Sequence, residues 1–360
     1  MNVRLEPERG QYRWLRSRWL PLAAAAFLAL LFFGQRRWSR SHDAAPKPFT
    51  RESVLAELAE HYPQASLPSD TLPQTVLAEE NLVFDASVEP SLALDVYRPR
   101  AEGLYPAVIV VHGGGWERGT RTMERPFAKR LATLGFVAVP VSYRLGPHGR
   151  FPNALFDLKT AVRWLRANAA RFRIEPRQIA ALGASSGGQL VALLGASNGI
   201  AELEGLGPNR EQSSEVQAVV DIDGLADFTD PSLLAKERRA PGAPTRFLGG
   251  SYEKRSATWR KASALTHAGP ASAPTLFITS TAPTPILPGR PQMVDKLSHA
   301  GVDSQLMTFP DTPHPFWLVN PWFEPTLHAA ERFLKGRFLP RRLDAAAVKN
   351  EQNQQDHHEP

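Results

Sequence analysis

Short apolar runs alternate with longer amphipathic stretches along most of this chain. Residues 216–223, 275–279 and 304–309 read as strands with some polar positions, whereas Ala107-Val108-Ile109-Val110-Val111, Phe136-Val137-Ala138-Val139-Pro140 and Ile179-Ala180-Ala181-Leu182 are nearly free of polar residues. Runs of this length and character suit strands buried on both faces of a parallel sheet. Two earlier runs, 76–84 and 92–97, also read as strands, and Arg98-Pro99 closes the second. Between the runs, residues 126–134, 153–170, 189–196, 290–299 and 324–334 carry helical patterns. In the second of these, Leu155, Leu158, Val162 and Leu165 share one face. Strands alternating with helices predict an α/β fold with a doubly wound, mostly parallel sheet. Residues 229–271, with scattered Pro, Gly and Arg, are expected to be irregular and to cover a site. Residues 199–214 read as a polar surface insertion. The chain shows no internal repeat.

The N-terminus breaks this pattern. An apolar stretch of 16 residues, 19–34, has five arginines before it and three after it. About 20 residues make a comfortable membrane span. No A-x-A cleavage signal follows, so an uncleaved signal anchor is expected, with Trp14, Trp19 and Trp38 near the interfaces. The arginine bias places the remainder outside the cytoplasm, periplasmic in a bacterium; secretion after cleavage is the alternative. The expected organisation is an anchor at 1–40, a linker with a short helix at 41–75, a catalytic domain at 76–340 and a polar tail at 341–360.

Charge and cysteine narrow the function classes. The chain has 360 residues and a net charge of +6, and residues 1–40 account for all of that excess. The remainder is formally neutral, so no nucleic-acid-binding face is expected. With no cysteine, disulfides and thiolate metal sites are excluded. No histidine pair has the spacing of a zinc site, and neither a metal nor another cofactor is expected.

Two glycine-rich turns carry the chemistry. Leu182-Gly183-Ala184-Ser185-Ser186-Gly187-Gly188-Gln189 follows a strand and opens a helix. In a Gly-x-Ser-x-Gly bend of this kind the central serine projects from the sheet, and the helix N-terminus faces the charge that develops beside it. Glycines on both sides avoid a collision across the bend. The strand at 107–111 runs into His112-Gly113-Gly114-Gly115-Trp116, where consecutive bare N–H groups suit an oxyanion hole.

With both motifs in this order, residues 76–339 resemble the HGGG-type esterase and lipase branch of the α/β-hydrolases. The resemblance implies that the first two strands form an antiparallel edge. It makes Ser185 the nucleophile, with the amides of Gly114, Gly115 and Ser186 holding the oxyanion. In such proteins the histidine follows the last strand, and among ten histidines only His314, in Phe309-Pro310-Asp311-Thr312-Pro313-His314-Pro315-Phe316-Trp317, has that position. The acid usually follows the preceding strand, yet residues 280–288 contain no carboxylate. Asp223, ending the strand before that, is the leading candidate, with Asp311 and Asp221 as alternatives. Asp157 lies on a helix and is read as structural. The segment 221–324 further resembles pectin-acetylesterase-like carbohydrate esterases. That implies removal of acetyl or other small acyl groups from a carbohydrate, with a small-molecule or oligosaccharide ester as partner. Trp116, Trp317 and Trp322 could stack on sugar rings or pack the core, and packing is the expectation for each. The competing readings are a lipase or peptidase on the same residues, and an inactive hydrolase fold used as a binding module. Oligomeric state is not legible.

Overall fold

The computed structural model describes residues 49–281 and 288–338. The expected anchor at 1–40 lies outside them, as do the whole of the tail at 341–360 and residues 282–287 of the 280–288 loop. Among the described residues no helix is long and apolar enough to cross a membrane. All described residues belong to one compact unit, Pro48–Pro360.

A sheet of eight strands forms the centre, in the order β1-β2-β4-β3-β5-β6-β7-β8. The strands are β1 (Val76–Asp85), β2 (Leu92–Pro99), β3 (Tyr105–Val111), β4 (Val137–Val141), β5 (Ile174–Ala184), β6 (Ala218–Ile222), β7 (Thr275–Ser280) and β8 (Gln305–Phe309). β1 and β2 form the antiparallel edge, β2 pairs antiparallel with β4, and every pairing from β4 to β8 is parallel. The helices are α1 (Arg51–Leu58), α2 (Arg125–Thr133), α3 (Asn153–Ala167), α4 (Ala169–Phe172), α5 (Ser186–Ala196), α6 (Pro231–Arg239), α7 (Ala243–Phe247), α8 (Tyr252–Ala262), α9 (Ala264–His267), α10 (Arg290–His299) and α11 (Phe323–Phe338).

The sheet separates two apolar layers, because alternate side chains of a strand point to opposite faces. Ile109, Val139, Ala181, Val219 and Phe277 face Leu155, Leu158 and Val162 of α3, Leu190 and Leu194 of α5, and Met293 of α10. Val108, Val110, Leu182, Val220 and Ile278 face Phe127 and Leu131 of α2 and Leu327 and Leu334 of α11.

Three stretches differ from expectation. Residues 229–271 hold four helices, α6 to α9. Their prolines mark helix starts: Pro231 follows an Asp230 cap that accepts from the Ser232 and Leu233 N–H groups, and Pro244 lies in the first turn of α7. Residues 49–75 hold the expected short helix, α1, with Thr50 closing a capping box on it, but the segment is packed rather than loose, since Val54 and Leu58 are buried. Burying each contributes about 1.5–3 kcal/mol. Asp70 then ties the segment to Lys129 at 2.7 Å. The polar stretch 199–214 buries Leu203, and its Glu204 pairs with the buried Lys159 at 2.6 Å, so it is anchored at both levels.

Candidate active site

The site lies at the C-terminal ends of β3, β5, β6 and β8, where ligands of open α/β sheets bind. β5 ends in a bend that forces Ser185 to φ 55°, ψ −119°, a strained conformation for a residue with a side chain. The bend is tight: a Cβ on Gly183 would stand 2.4 Å from the Gly187 carbonyl oxygen, and one on Gly187 would stand 2.3 Å from that of Val111. The Ser185 N–H donates to the Ile222 carbonyl at 2.7 Å, which ties the bend to β6. The Asp223 N–H in turn donates to the Ile278 carbonyl of β7 at 2.9 Å.

On this frame three side chains connect. The Ser185 hydroxyl lies 3.1 Å from Nε2 of His314, and His314 Nδ1 lies 2.9 Å from Oδ2 of Asp223. Asp223 is fully buried, whereas 31% of the His314 side chain is exposed. Burial pushes the Asp223 carboxyl up, but hydrogen bonds from His314 and Ser280 and the charge of the imidazolium outweigh it. The carboxyl is therefore held below the usual carboxylate value. Such a pair leaves Nε2 free to accept a proton from the serine.

The other two candidate acids stand apart. Asp311 is exposed, and its N–H is held by the Thr281 hydroxyl at 2.9 Å. Asp221 lies deeper in β6, fully buried, with Oδ1 accepting from the Gly224 N–H at 2.6 Å. Asp157 is structural: its carboxylate binds the Arg144 guanidinium at 2.7 Å and the Arg144 N–H at 2.8 Å.

The glycine loop lies against the serine. A Cβ on Gly113 would meet Ser185 Cβ at 3.1 Å, and one on Gly114 would strike the Arg118 carbonyl oxygen at 2.0 Å. Among the described residues the N–H groups of Gly114 and Gly115 make no hydrogen bond. Ser186 is the first residue of α5, where helical geometry leaves the N–H unused. His112 is buried, stacks on Tyr143 at 4.5 Å and is pushed down to about 4 by burial, so it holds the loop as a neutral ring. Trp116 locks the far side. Its Nε1 donates to Gln189 Oε1 at 3.0 Å, and its ring stacks on Phe247 of α7 at 4.7 Å. Ala243 of α7 lies over Gly115, as expected of a covering segment.

Trp116 and Trp317 are both buried, and Trp317 packs edge-on against His314 with ring centroids 5.0 Å apart. Trp322 meets Tyr62 edge-on. All three therefore pack. His299 and His328 are exposed and His267 is half-buried, and they bond locally, to Asp295, Glu331 and Lys261.

Two neighbours of Asp223 have no signature in the sequence. Ser280 donates its N–H to Oδ1 at 2.8 Å and its hydroxyl to Oδ2 at 2.6 Å. Arg290, buried at the start of α10, places Nη2 3.5 Å from Oδ1. Only the pairing of β6 with β7 brings them there. Gly113, which touches the serine, was hidden by the choice among three consecutive glycines.

Comparison with known proteins gives this geometry a family. Esterase LipC of Mycobacterium tuberculosis is 37% identical over 153 residues, which cover 42% of this chain and 38% of that protein. The chain spans less than half the length of the curated relatives it matches. Among solved structures, a truncated carbohydrate esterase from gut microbiota superposes with a TM-score of 0.65 at 23% identity, covering 76% of this chain and 99% of that one. Propionate-bound Est2, an esterase of Thermogutta terrifontis, gives 0.61 at 24% identity, with 73% and 95% covered. At these identities both structures speak for the fold alone. The BD-FAE family matches residues 94–289, spanning the glycine loop, the serine bend and Asp223, and the chain is a member of that α/β-hydrolase family.

Proposed function

We propose that this protein is a serine carboxylester hydrolase. The observation that carries the reading is the continuous hydrogen-bonded chain from Ser185 through His314 to Asp223 beside unused amides of the glycine loop. Ser185 attacks the ester carbonyl while His314 Nε2 takes its proton. The amides of Gly114, Gly115 and Ser186 hold the oxyanion, and each such donor is worth on the order of 10²–10³ in rate. His314 then protonates the leaving alcohol, and water releases the acyl group by the same route. Asp223 keeps the tautomer that presents Nε2 to the serine.

The finer reading is removal of acetyl or another small acyl group from a carbohydrate. Its support is the resemblance of the 221–324 segment to carbohydrate esterases and the likeness in fold to one of them. The N-terminal segment is proposed as a membrane anchor with the catalytic domain outside the cytoplasm. Recovery of the full chain in the soluble fraction without detergent would remove that part.

A fluorophosphonate probe tests the chemistry. Wild type should be labelled at Ser185 and Ser185→Ala should not, with hydrolysis of p-nitrophenyl acetate falling on the order of 10⁶-fold. An unlabelled, inactive wild-type protein would leave the inactive binding module as the reading. A panel of acetylated and feruloylated oligosaccharides beside long-chain acyl esters then tests the substrate class.

A further inference from the structure

The loop after β7 lacks the carboxylate expected there, and the same region supplies other groups. Ser280, the last residue of β7, gives two donors to Asp223, one to each oxygen. Arg290 reaches Asp223 from the far side of that loop. Its Nη1 donates to the Ile278 carbonyl of β7 at 3.0 Å, and its Nη2 lies 3.5 Å from Asp223 Oδ1. The Arg290 and Asp223 side chains are buried to within 2% of complete.

The placement of Arg290 is built into the backbone. The Pro288 carbonyl accepts from the N–H groups of Ala226 at 2.8 Å and Asp227 at 3.1 Å, which clamps the entry to α10 onto the segment after β6. Gly289 follows at φ 88°, where a Cβ would stand 2.5 Å from Asp227 Cβ. No other residue fits, and the turn delivers Arg290 into the sheet end.

We propose, on the reading of Ser185, His314 and Asp223 as a catalytic triad, that Ser280 and Arg290 are positioning residues that hold the Asp223 carboxylate aimed at His314. The acid stands at the end of β6, and the end of β7 with the start of α10 furnishes its support. A carboxylate has two oxygens and a free torsion. Here Ser280 binds both oxygens, so the rotation that would break the His314 contact costs two hydrogen bonds. Arg290 supplies a cation beside the buried Asp223 carboxylate, which would otherwise have only His314 to offset its charge. The charged and titratable groups facing this centre are His314 from the loop after β8, Asp221 and Asp223 from β6, and Arg290 from α10. Ser280 and the Ile278 carbonyl of β7 complete the ring of polar partners.

The test uses the full chain with Ser280→Ala, Arg290→Lys and Arg290→Met. kcat and KM for p-nitrophenyl acetate are measured from about pH 5 to about pH 9, beside fluorophosphonate labelling and melting temperature. Ser280→Ala should lose on the order of tenfold in kcat with KM within about twofold, since neither residue touches substrate. In Arg290→Met the field of Asp223 is no longer shared with a cation and falls on His314 alone. That favours the imidazolium, so the acidic limb of kcat/KM should move up by about one pH unit. Arg290→Lys should leave the limb in place, because the charge is kept. Folded Ser280→Ala and Arg290→Met proteins with wild-type kcat and an unmoved limb would overturn the inference. So would a loss of melting temperature without a shift of the limb, which marks a merely structural role. If Arg290→Met does not fold, Ser280→Ala decides alone, through its kcat at unchanged KM. A wild-type protein that neither labels nor hydrolyses esters would instead remove the proposed function, a result separate from either of these.

Discussion

Asp221 and Asp223 leave the same end of β6 two residues apart, and both are buried. Asp223 has four donors around it: the Ser280 N–H and hydroxyl, His314 Nδ1 and the Arg290 guanidinium. Among the described residues Asp221 has one, the Gly224 N–H on Oδ1, and its Oδ2 meets no hydrogen-bond partner. The carboxyl of Asp223 is held below its ordinary value. Burial pushes that of Asp221 up to about 7, against the pull of Arg290. Burial is common to both acids. The difference lies in the hydrogen bonds made to the charged form and in the charge of His314 beside it, which set the direction in which each carboxyl moves. An acid that orients a histidine must be the anion, and of the two it is Asp223 whose surroundings favour that form.

The largest test of this contrast is Asp223→Asn. The amide keeps the shape but permits the wrong His314 tautomer, and the esterase rate should fall by about 10⁴-fold. Asp311→Asn, on an exposed residue, should change the rate less than about threefold. An inactive but folded Asp311→Asn enzyme beside an active Asp223→Asn enzyme would reverse the contrast.

Next in size is the pH dependence of stability, where the two acids act in opposite directions. The folded state holds a proton on Asp221 that the unfolded chain releases near 3.8. Between about pH 3.8 and about pH 7 the native state therefore binds more protons, and stability falls as pH rises. Asp221→Asn removes that fall, so its melting temperature relative to wild type should climb by a few degrees across the window. Asp223 contributes the reverse: its lowered carboxyl stabilises above 3.8 and is lost as pH falls through its folded value. An Asp221→Asn difference that stays flat with pH would break the comparison.

Glu124 extends the same logic to the layer below Trp317. Its carboxyl is buried and pushed by burial up to about 8 from 4.5. Glu124→Gln should therefore gain on wild type as pH rises between those values, read by melting temperature at pH 5 and at pH 8. The smallest effect is expected at Arg246, which pairs with Glu117 at 2.8 Å over the glycine loop with more than half its side chain exposed. Arg246→Gln should cost about 0.2–1 kcal/mol in a denaturant titration, less at high salt, because water already screens that pair.

Ser185 and the glycine loop were legible because their signals are local. A serine between Gly183 and Gly187 after an apolar strand describes a bend whose sterics are contained in five residues. His314 was legible through its position after the last strand. Asp223 could be ranked ahead of Asp221 and Asp311 but not separated from them, since the hydrogen bond that distinguishes it crosses 91 positions. The helices of 229–271 were misread for a local reason: Pro231 and Pro244 start helices there, and a proline looks the same at a helix start as in a loop. In 49–75 the spacing of Val54 and Leu58 shows the short helix, but so short a pattern does not show which surface it covers.

By itself the sequence determined the alternation of buried strands and amphipathic helices, the strained serine, the histidine and the bare amides. Each depends on the period of side chains along one element or on crowding within one turn. Only the tertiary structure decided which acid meets His314 and what holds it. The parallel register of β6 against β7 puts Asp223 beside Ser280, and the Gly289 turn brings Arg290 to the same oxygen. Those contacts join residues 57 and 67 positions apart. Their partners are set by how the strands stack, which no short stretch of sequence encodes.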